Sequence, residues 1–588
     1  MALRRGFGVV LALLSAAILI SLAGVALLWI VTSRQPTVAE HSTLVLDLRT
    51  DLREASPDDV VQQFLAGRQP QTLSAVIENL RKAKIDKRIG AVIITPSGLQ
   101  APLWGKVQEL RDAIVDFRRS GKPAIAYLEY GDDRTYYLAT ACSQIFLMPT
   151  SSLDLNGLAS YDLFLRGTLD KFGVYPDFLH IGAYKTAANT FTEKTYTPAH
   201  REMSESLNRD MFDQLVRGIA DGRKKNAADV QALIDQGPFL ASEALRAGLV
   251  DGLAYYDQLD DRLKLPGGGD REVNTREYAN VAARSLGLNK GPRIALIYAA
   301  GVIVSGESGY DAMSGPVLGS DTLIRHIRQV RDDGSIKAIV VRVDSPGGSA
   351  VASDAIWREL VITRDQKRDR PLVVSMSDLA ASGGYYIAMA APHIVAQPAT
   401  LTGSIGIVAG KLVTGGTWGK IGANIESISS GRNAEIYSPA RPFNDSERAE
   451  LTASLESFYK QFVEKAAQAR RMPFAKVDAV AQGRVWTGRQ AKEIGLVDEL
   501  GGLDRAIAVA KQRARIPADS DVEVVVYPPR RNVYELIAES FQAEDRAGLA
   551  LSALLPAQDR RELAFLTAPL RLFRSGEPLA LMPYMSIR

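Results

Sequence analysis

Cysteine and histidine are scarce in this chain, which has one cysteine, Cys142, and five histidines among 588 residues. A single thiol cannot form a disulfide framework or a thiolate metal site. The histidines are not paired at metal-ligand spacing, so we expect no metal site and no cofactor. The net charge of +3 is small for this length, and no Lys/Arg cluster is interleaved with aromatic residues. The composition therefore gives no indication of nucleic-acid binding.

Residues 7–31, which follow Arg4 and Arg5, are free of charge and apolar apart from serine and glycine. As a helix with a rise of about 1.5 Å per residue it would be about 37 Å long, enough to span a bilayer with some tilt. A cleaved signal peptide is the alternative, but the run is too long for a signal-peptide core and no A-x-A site follows it. The two arginines predict a cytoplasmic N-terminus. We expect a single-pass anchor in the inner (cytoplasmic) membrane, with the other domains in the periplasm if the host is Gram-negative.

From about residue 43, short apolar runs alternate with segments of helical periodicity. Residues 91–94 and 124–127 predict buried strands, whereas residues 73–83 and 107–117 have the apolar spacing of helices. Strands that alternate with helices of this length are typical of βαβ units and a parallel sheet. The sequence therefore predicts an α/β fold.

An internal repeat divides the chain into two copies of this fold. Three pairs of segments match at offsets of 247, 249 and 247 residues: 89–94 with 336–341, 136–141 with 385–390, and 248–251 with 495–498. Matches at a nearly constant offset indicate a duplication. The predicted organisation is a stub, anchor and linker at 1–42, a first repeat at 43–285, a second repeat at 286–515 and a C-terminal extension at 516–588. In the extension, the apolar stretches 549–555 and 563–572 are interpreted as packing or oligomer contacts, with a membrane-surface role as the alternative.

Ser382 lies between an apolar strand-like run and an alanine-rich, helix-like segment, and two glycines follow it. A hydroxyl at the start of a helix sits beside unpaired backbone N–H groups, which suit a developing oxyanion. The alternative is an ordinary serine N-cap. At the matching position the first repeat has Asp133, without a glycine pair, so it lacks a nucleophile. His393, the nearest histidine, is eleven residues further on, about 16 Å along a helix, which is too far to serve as a base.

The first repeat instead contains Lys185, in the segment 182–188, where the second repeat has Arg432 at the 247-residue offset. Arginine keeps its proton and cannot act as a base. A lysine can, if it is neutral, and a pKa near 7 requires about 4–5 kcal/mol of bias against its charged form. Burial at a seam between two apolar domains would supply this bias. The alternative is a solvated surface lysine.

Four motifs, at 182–185, 344–349, 381–385 and 402–406, together with the anchor and the repeat, carry a resemblance to a known family. The chain resembles the long, two-domain members of the signal peptide peptidase A (protease IV) family. These are membrane-anchored Ser-Lys peptidases, and their domains resemble the Clp protease subunit and the crotonases. The resemblance implies that Ser382 is the nucleophile, that Lys185 from the other repeat is the general base, and that Ser404 orients the lysine.

The resemblance also implies an oxyanion hole formed by the N–H of Gly383 and that of Gly347 or Gly348, and the sequence leaves this choice open. It further implies a homotetramer and peptide substrates that are signal-peptide remnants in the membrane. Two other functions remain as alternatives. A crotonase-like acyl-CoA enzyme would need glutamates at the oxyanion turn and basic residues for the CoA phosphates, which are not obvious near Gly347 or Ser382. A non-catalytic membrane scaffold would leave Ser382 unreactive.

Overall fold

The computed structural model describes residues 38–49, 52–54, 72–99, 103–259, 271–311, 315–527, 577–583 and 585–587. The predicted anchor at 7–31 and the apolar stretches 549–555 and 563–572 lie outside these ranges. Within them, no helix is both long and apolar enough to cross a membrane. The described part of the chain consists of the two repeats and the strands that join them.

The first repeat is built on a six-stranded sheet in which all neighbouring strands are parallel. The two strands predicted from apolar runs, at 91–94 and 124–127, are central members and are buried. In sheet order, the strands are Gly252–Leu253, Gln144–Leu147, Ala124–Leu128, Ile89–Thr95, Ser42–Asp47 and Glu272–Asn274.

Both faces of this sheet are covered, because successive side chains of a strand point to opposite faces. Val92 and Ile94 belong to the larger hydrophobic core, whereas Ala91 and Ile93 pack in a separate cluster. Such burial on both faces explains why the parallel strands are almost continuously apolar. The helices of this repeat are Leu73–Ile85, Gly105–Arg118, Asp133–Ala139, Arg166–Phe172, Asn189–Thr192, Pro198–Arg223, Ala227–Ile234, Ala241–Arg246 and Thr275–Ala279.

The second repeat is built on an eight-stranded sheet. Its main path is Val485–Thr487, Leu401–Gly403, Leu372–Ala381, Ile336–Ser345, Arg293–Ala300 and Glu523–Tyr527. Two further strands continue from Leu372–Ala381, namely Ile394–Ala396 and Glu499–Leu500. Its helices are Ser320–Asp332, Ala350–Gln366, Gly383–Ala388, Gly415–Lys420, Asp445–Arg470, Phe474–Val480, Gly488–Glu493 and Leu503–Arg513.

The helix bounds reproduce the offset seen in the sequence. The long helices Pro198–Arg223 and Asp445–Arg470 begin and end 247 residues apart, and both end in a left-handed residue, Lys224 and Arg471, each with φ of 53°. The protein therefore contains two tandem copies of one α/β fold, as the sequence predicts.

A third sheet joins the repeats. The strand Tyr175–Ile181 of the first repeat pairs antiparallel with Ile407–Val413 of the second through seven residue pairs. Beyond Ile407–Val413 the sheet continues through Leu579–Leu581, Gly347–Ser349, Val302–Val304, Gly315–Gly319 and Gly309–Asp311. The remaining strands form two small sheets, Gly131–Asp132 with Ser152–Asp154 and Phe239–Leu240, and Ser160–Tyr161 with Ser586–Ile587.

The apolar stretch 401–408, which a glycine-interrupted strand would explain, is divided between two sheets. Leu401–Gly403 belongs to the sheet of the second repeat, and Ile407–Val413 belongs to the sheet that joins the repeats. The chain turns between them because Gly403 and Ser404 both adopt positive φ, 78° and 51°. Apolar periodicity alone does not report such a turn.

Buried ion pairs cross the seam between the repeats. Arg342, from the second repeat, is fully buried, so its charge requires carboxylate partners. Asp378, which is close in sequence to Ser382, also belongs to these buried ion pairs. The pairs are Arg342 with Glu54 and Glu109, both at 2.6 Å, and Lys106 with Asp344 and Asp378, at 2.7 and 3.2 Å. These pairs fix how the two repeats meet, and therefore position the site that lies between them.

Candidate active site

Ser382 occupies the turn between the strand Leu372–Ala381 and the helix Gly383–Ala388. Its backbone has φ of 56° and ψ of −111°, and its N–H donates to the Gly403 carbonyl at 2.7 Å. Its hydroxyl makes no capping hydrogen bond to the helix, so it is not an ordinary N-cap. A positive φ at a non-glycine residue costs about 1–3 kcal/mol and tends to occur at functional sites. The fold thus presents this hydroxyl at the expense of backbone strain.

Lys185 follows the strand Tyr175–Ile181, which pairs in the third sheet with the strand Ile407–Val413 of the second repeat. Its side chain is fully buried. Its amine nitrogen lies 2.7 Å from the Ser382 Oγ, 3.0 Å from the Ser404 carbonyl oxygen and 3.1 Å from the Ser404 Oγ. The structure therefore brings together these three residues, although Lys185 and Ser382 are 197 positions apart in the sequence.

The Lys185 amine has no carboxylate partner within this group of contacts. Burial away from water lowers the pKa of the Lys185 amine well below its ordinary value. A neutral amine has two N–H donors and one lone pair, so in that form it can donate in two of these contacts and accept from a hydroxyl in the third. An ammonium could donate to all three oxygens. Burial is therefore what favours the neutral form here.

A backbone hydrogen bond fixes the position of Ser404. It has φ of 51°, and its N–H donates to the Arg484 carbonyl at 2.7 Å. The same turn holds Ser382, because the Gly403 carbonyl accepts from the Ser382 N–H. The hydroxyl and carbonyl that contact the lysine therefore come from one short, rigid segment.

Of the two glycines of the 344–349 motif, Gly347 lies beside Gly383, whereas Gly348 lies against the backbone of Ile303. Gly347 has φ of 99° and Gly348 has φ of 151°, both in the region that favours glycine. The Gly347 N–H donates to the Ser345 Oγ at 3.2 Å. A Cβ placed on Gly347 would lie only 2.7 Å from the Gly383 nitrogen, so a side chain would close the space between these backbones.

Gly483 is a residue of the site that sequence analysis missed. A Cβ placed on it would lie 2.5 Å from the Lys185 Cα, and it has φ of 75°. The Tyr184 N–H, next to the lysine, donates to the Gln482 carbonyl at 2.7 Å. The repeat contains a signal for this position, since Gln-Gly at 482–483 matches Gln-Gly at 236–237 with an offset of 246.

The other candidate groups lie elsewhere. Asp133, at the first repeat's equivalent of Ser382, accepts from the Gly157 N–H at 2.9 Å, and burial raises the pKa of its carboxyl to about 6. His393 lies 3.4 Å from a Glu499 carboxylate oxygen and 3.0 Å from an Arg513 nitrogen. The first repeat thus contains an acid where the second contains Ser382, and His393 is engaged in other contacts.

Comparison with known proteins identifies the class. A model of Peptidase family S49 matches residues 116–266 and 364–517, one region in each repeat. The chloroplastic serine protease SPPA of Arabidopsis thaliana is 37% identical over 494 residues, which cover 83% of this chain and 71% of that protein. Protease 4 of Salmonella typhi is 33% identical over 501 residues, which cover 83% of this chain and 79% of that protein.

These similarities define the protein as a serine protease. The chain belongs to Peptidase family S49. Protease 4 of Haemophilus influenzae is 30% identical over 487 residues, covering 79% of this chain and 77% of that protein. Among solved structures, a ClpP1 mutant from Listeria monocytogenes matches 36% of this chain and 92% of its own, with 12% identity and a TM-score of 0.23.

Proposed function

We propose that the protein is a membrane-anchored serine endopeptidase that degrades cleaved signal peptides with a dyad of Ser382 and Lys185. The observation that carries this proposal is the contact between the Lys185 amine and the Ser382 hydroxyl, at 2.7 Å in a fully buried setting. A serine hydroxyl is a weak nucleophile until a base removes its proton. A lysine can be that base only when neutral, and burial favours the neutral form.

The reaction follows from this geometry. Ser382 Oγ attacks the peptide carbonyl carbon while the Lys185 amine takes the hydroxyl proton. The lysine then returns the proton to the leaving nitrogen, and an acyl-enzyme ester remains on Ser382. A water molecule, deprotonated by the same amine, hydrolyses this ester and releases the second product. Ser404 orients the amine by accepting its two N–H groups.

We assign the oxyanion hole to the N–H groups of Gly383 and Gly348. Gly383 is the first residue of the helix after Ser382, where backbone N–H groups have no intrahelical acceptor. Of the two glycines in the turn, Gly347 already donates its N–H to the Ser345 Oγ. Gly348 is therefore the better donor to a developing oxyanion.

The membrane anchor at 7–31, the periplasmic location and a homotetrameric assembly belong to the same proposal and are supported by the sequence pattern and the family resemblance. An anchor in the membrane would hold the site close to signal-peptide remnants, which are themselves apolar and membrane-bound.

The test is hydrolysis of a fluorogenic signal peptide in detergent by the wild-type protein and by Ser382→Ala and Lys185→Ala, made separately. Each variant is expected to lower kcat by at least about 10²–10⁴-fold, the usual contribution of a positioned base. Lys460→Ala is the matched control, since the Lys460 side chain is 70% exposed on the helix Asp445–Arg470. Near wild-type activity in either dyad variant would show that the assignment is wrong.

A further inference from the structure

An arginine of the second repeat lies across the seam from the segment that holds Lys185. Arg484 directly precedes the strand Val485–Thr487, and its guanidinium lies over two aromatic rings. Its central carbon is 4.7 Å from the ring centre of Tyr184, in the first repeat, and 4.6 Å from that of Trp486. A planar guanidinium stacks on aromatic rings, which the ammonium of a lysine does not. One stack thus joins the two repeats at the residue before Lys185.

A carboxylate from the helix Pro198–Arg223 ties this stack together. Glu202 accepts a hydrogen bond from the Tyr184 hydroxyl at 2.8 Å and another from the Arg484 guanidinium at 2.7 Å. The arginine side chain is 16% exposed and the carboxylate side chain 58% exposed, so the group extends from the surface toward the buried amine. We call Tyr184, Glu202, Arg484 and Trp486 the seam clamp.

The main chain of the same arginine holds the other partner of the lysine amine. The Arg484 carbonyl accepts the Ser404 N–H at 2.7 Å. Ser404 in turn has two oxygens at 3.0 and 3.1 Å from the Lys185 amine nitrogen. Two residues earlier, the Gln482 carbonyl accepts the Tyr184 N–H at 2.7 Å. Arg484 is therefore linked to the lysine from two directions, through Tyr184 and through Ser404.

The clamp also lies against the turn that holds the nucleophile. A Cβ placed on Gly403 would lie 2.8 Å from the Trp486 Cδ1, so the ring packs closely on this backbone. The Trp486 indole N–H donates to the Val480 carbonyl at 2.9 Å, which fixes the ring. The Gly403 carbonyl accepts the Ser382 N–H at 2.7 Å. A displacement of the clamp would therefore act on both the lysine and the serine.

The duplicated fold does not repeat the clamp. At the 247-residue offset, the positions of its tyrosine, glutamate and arginine carry residues that can neither stack nor form an ion pair, namely Gly431, Ala449 and Gly237. At the same offset Arg432 stands in place of Lys185. The clamp therefore accompanies the lysine and is not a general requirement of the fold.

We propose that Arg484 is a positioning residue, which holds the Lys185 amine against Ser382 and closes its enclosure to water. This inference rests on the proposed function. The arginine acts through Tyr184 on the lysine backbone and through Ser404 on the amine itself. A base that is already placed needs no reorganisation to reach the hydroxyl. An enclosed amine stays neutral because water cannot solvate its charge.

The charged groups around the lysine segment allow enclosure to be separated from a direct charge effect. Glu202 and Arg484 belong to the clamp, and Asp478, on the preceding helix, accepts from the Gln482 amide at 2.9 Å. Burial is what lowers the pKa of the Lys185 amine. Removal of a carboxylate would disfavour an ammonium and lower this pKa further. Opening of the enclosure would admit water and raise the pKa.

The test measures kcat/KM across a pH series with a signal-peptide substrate that has no titratable side chain. The acid limb of this profile reports the pKa of the essential base in the free enzyme. Arg484→Met keeps an apolar side chain but loses the stack and the ion pair. Its acid limb should move to higher pH by at least about one unit, because burial shifts a lysine pKa by up to about 3–5 units. Below the limb this shift is a loss of at least about tenfold, carried by kcat with KM unchanged.

Glu202→Ala is the deciding variant. Loss of the clamp moves its acid limb to higher pH, as in Arg484→Met, whereas a direct charge effect moves it to lower pH. Because the Glu202 side chain is largely exposed, this variant should fold normally, and it decides the question if Arg484→Met does not fold. Arg201→Met and Glu205→Ala are matched controls, since Arg201 lies over the Tyr196 ring at 4.9 Å and contacts Glu205 at 3.9 Å on the surface. Both should keep the wild-type limb.

An acid limb that coincides with that of the wild type in either folded variant would overturn the proposal, as would shifts of opposite sign in the two. A lower stability toward urea with an unchanged limb would show that Arg484 is only structural. Lys185→Ala, measured alongside, separates this inference from the proposed function. If Lys185→Ala keeps its activity, the dyad itself is refuted. If it is inactive while the clamp variants behave as the wild type, only the role of Arg484 is refuted.

Discussion

Replacing Lys185 by methionine is expected to remove a pH-dependent penalty on folding. In the folded protein this amine is enclosed, and burial lowers its pKa well below the ordinary value. In the unfolded chain the amine has the ordinary lysine pKa of about 10.4. Between these two pKa values the unfolded chain binds one more proton than the folded chain, so the free energy of unfolding rises with pH. The slope is about 1.4 kcal/mol per pH unit for one group.

The Lys185→Met variant lacks this pH-dependent contribution to the free energy of unfolding. Methionine is similar in length and fills an apolar site without a charge. It leaves the Ser404 carbonyl without the lysine donor, which costs about 1–3 kcal/mol, but this cost does not depend on pH. The informative quantity is therefore the slope. The stability of Lys185→Met relative to the wild type should be largest at low pH and should fall as the pH approaches the ordinary lysine value.

The assay is urea unfolding of both proteins, followed by tryptophan fluorescence from about pH 6 to about pH 9, a window below the ordinary lysine pKa. Lys460→Met, which alters an exposed lysine, controls for the loss of a charge. A stability difference that does not vary with pH would refute the neutral, buried lysine. The peptidase activity of the wild type should fall as the pH drops through the same lowered pKa, because a protonated amine cannot accept the serine proton.

Two further predictions concern the supports of the site. Gly483→Ala should lower kcat by at least about 10-fold, since an added Cβ would lie 2.5 Å from the Lys185 Cα and a misplacement of about 1 Å costs about 10²-fold. Gly422→Ala is the control, with φ of 78° and open space around it, and it should keep activity in the same peptide assay. Arg342→Met should lower the free energy of unfolding by about 3–5 kcal/mol, because it leaves two buried carboxylates unpaired. Arg328→Met, at a pair in which the arginine side chain is 57% exposed, should change it by less than about 1 kcal/mol, and a similar loss in both would contradict the role of the buried network.

Much of the fold could be predicted from local patterns in the sequence. Alternating apolar runs and helical spacing predict the parallel strands, because burial on both faces of a sheet demands continuous apolar residues. The 247-residue offset predicts the duplication, because two copies of one fold keep similar residues at equivalent positions in order to pack in the same way. The turn at Ser382 is also local information, as a strand, a serine, two glycines and a helix are adjacent in the chain. Comparison of the copies drew attention to Lys185, because the arginine in its place cannot lose a proton, and the family resemblance implied its role as the base.

The sequence by itself determined which residue types were available for the chemistry, and only the tertiary structure decided how they meet. The contact between Lys185 and Ser382 joins residues 197 positions apart, and it exists because a strand of the first repeat pairs with a sheet of the second. The close approach of Gly483 to Lys185 depends on this same pairing. So does the turn at Gly403 and Ser404, which separates the strands Leu401–Gly403 and Ile407–Val413. The position of the strand Leu579–Leu581 between Gly347–Ser349 and Ile407–Val413 has no local signal either. Such contacts depend on the order of strands in a whole sheet, which no short stretch of sequence contains.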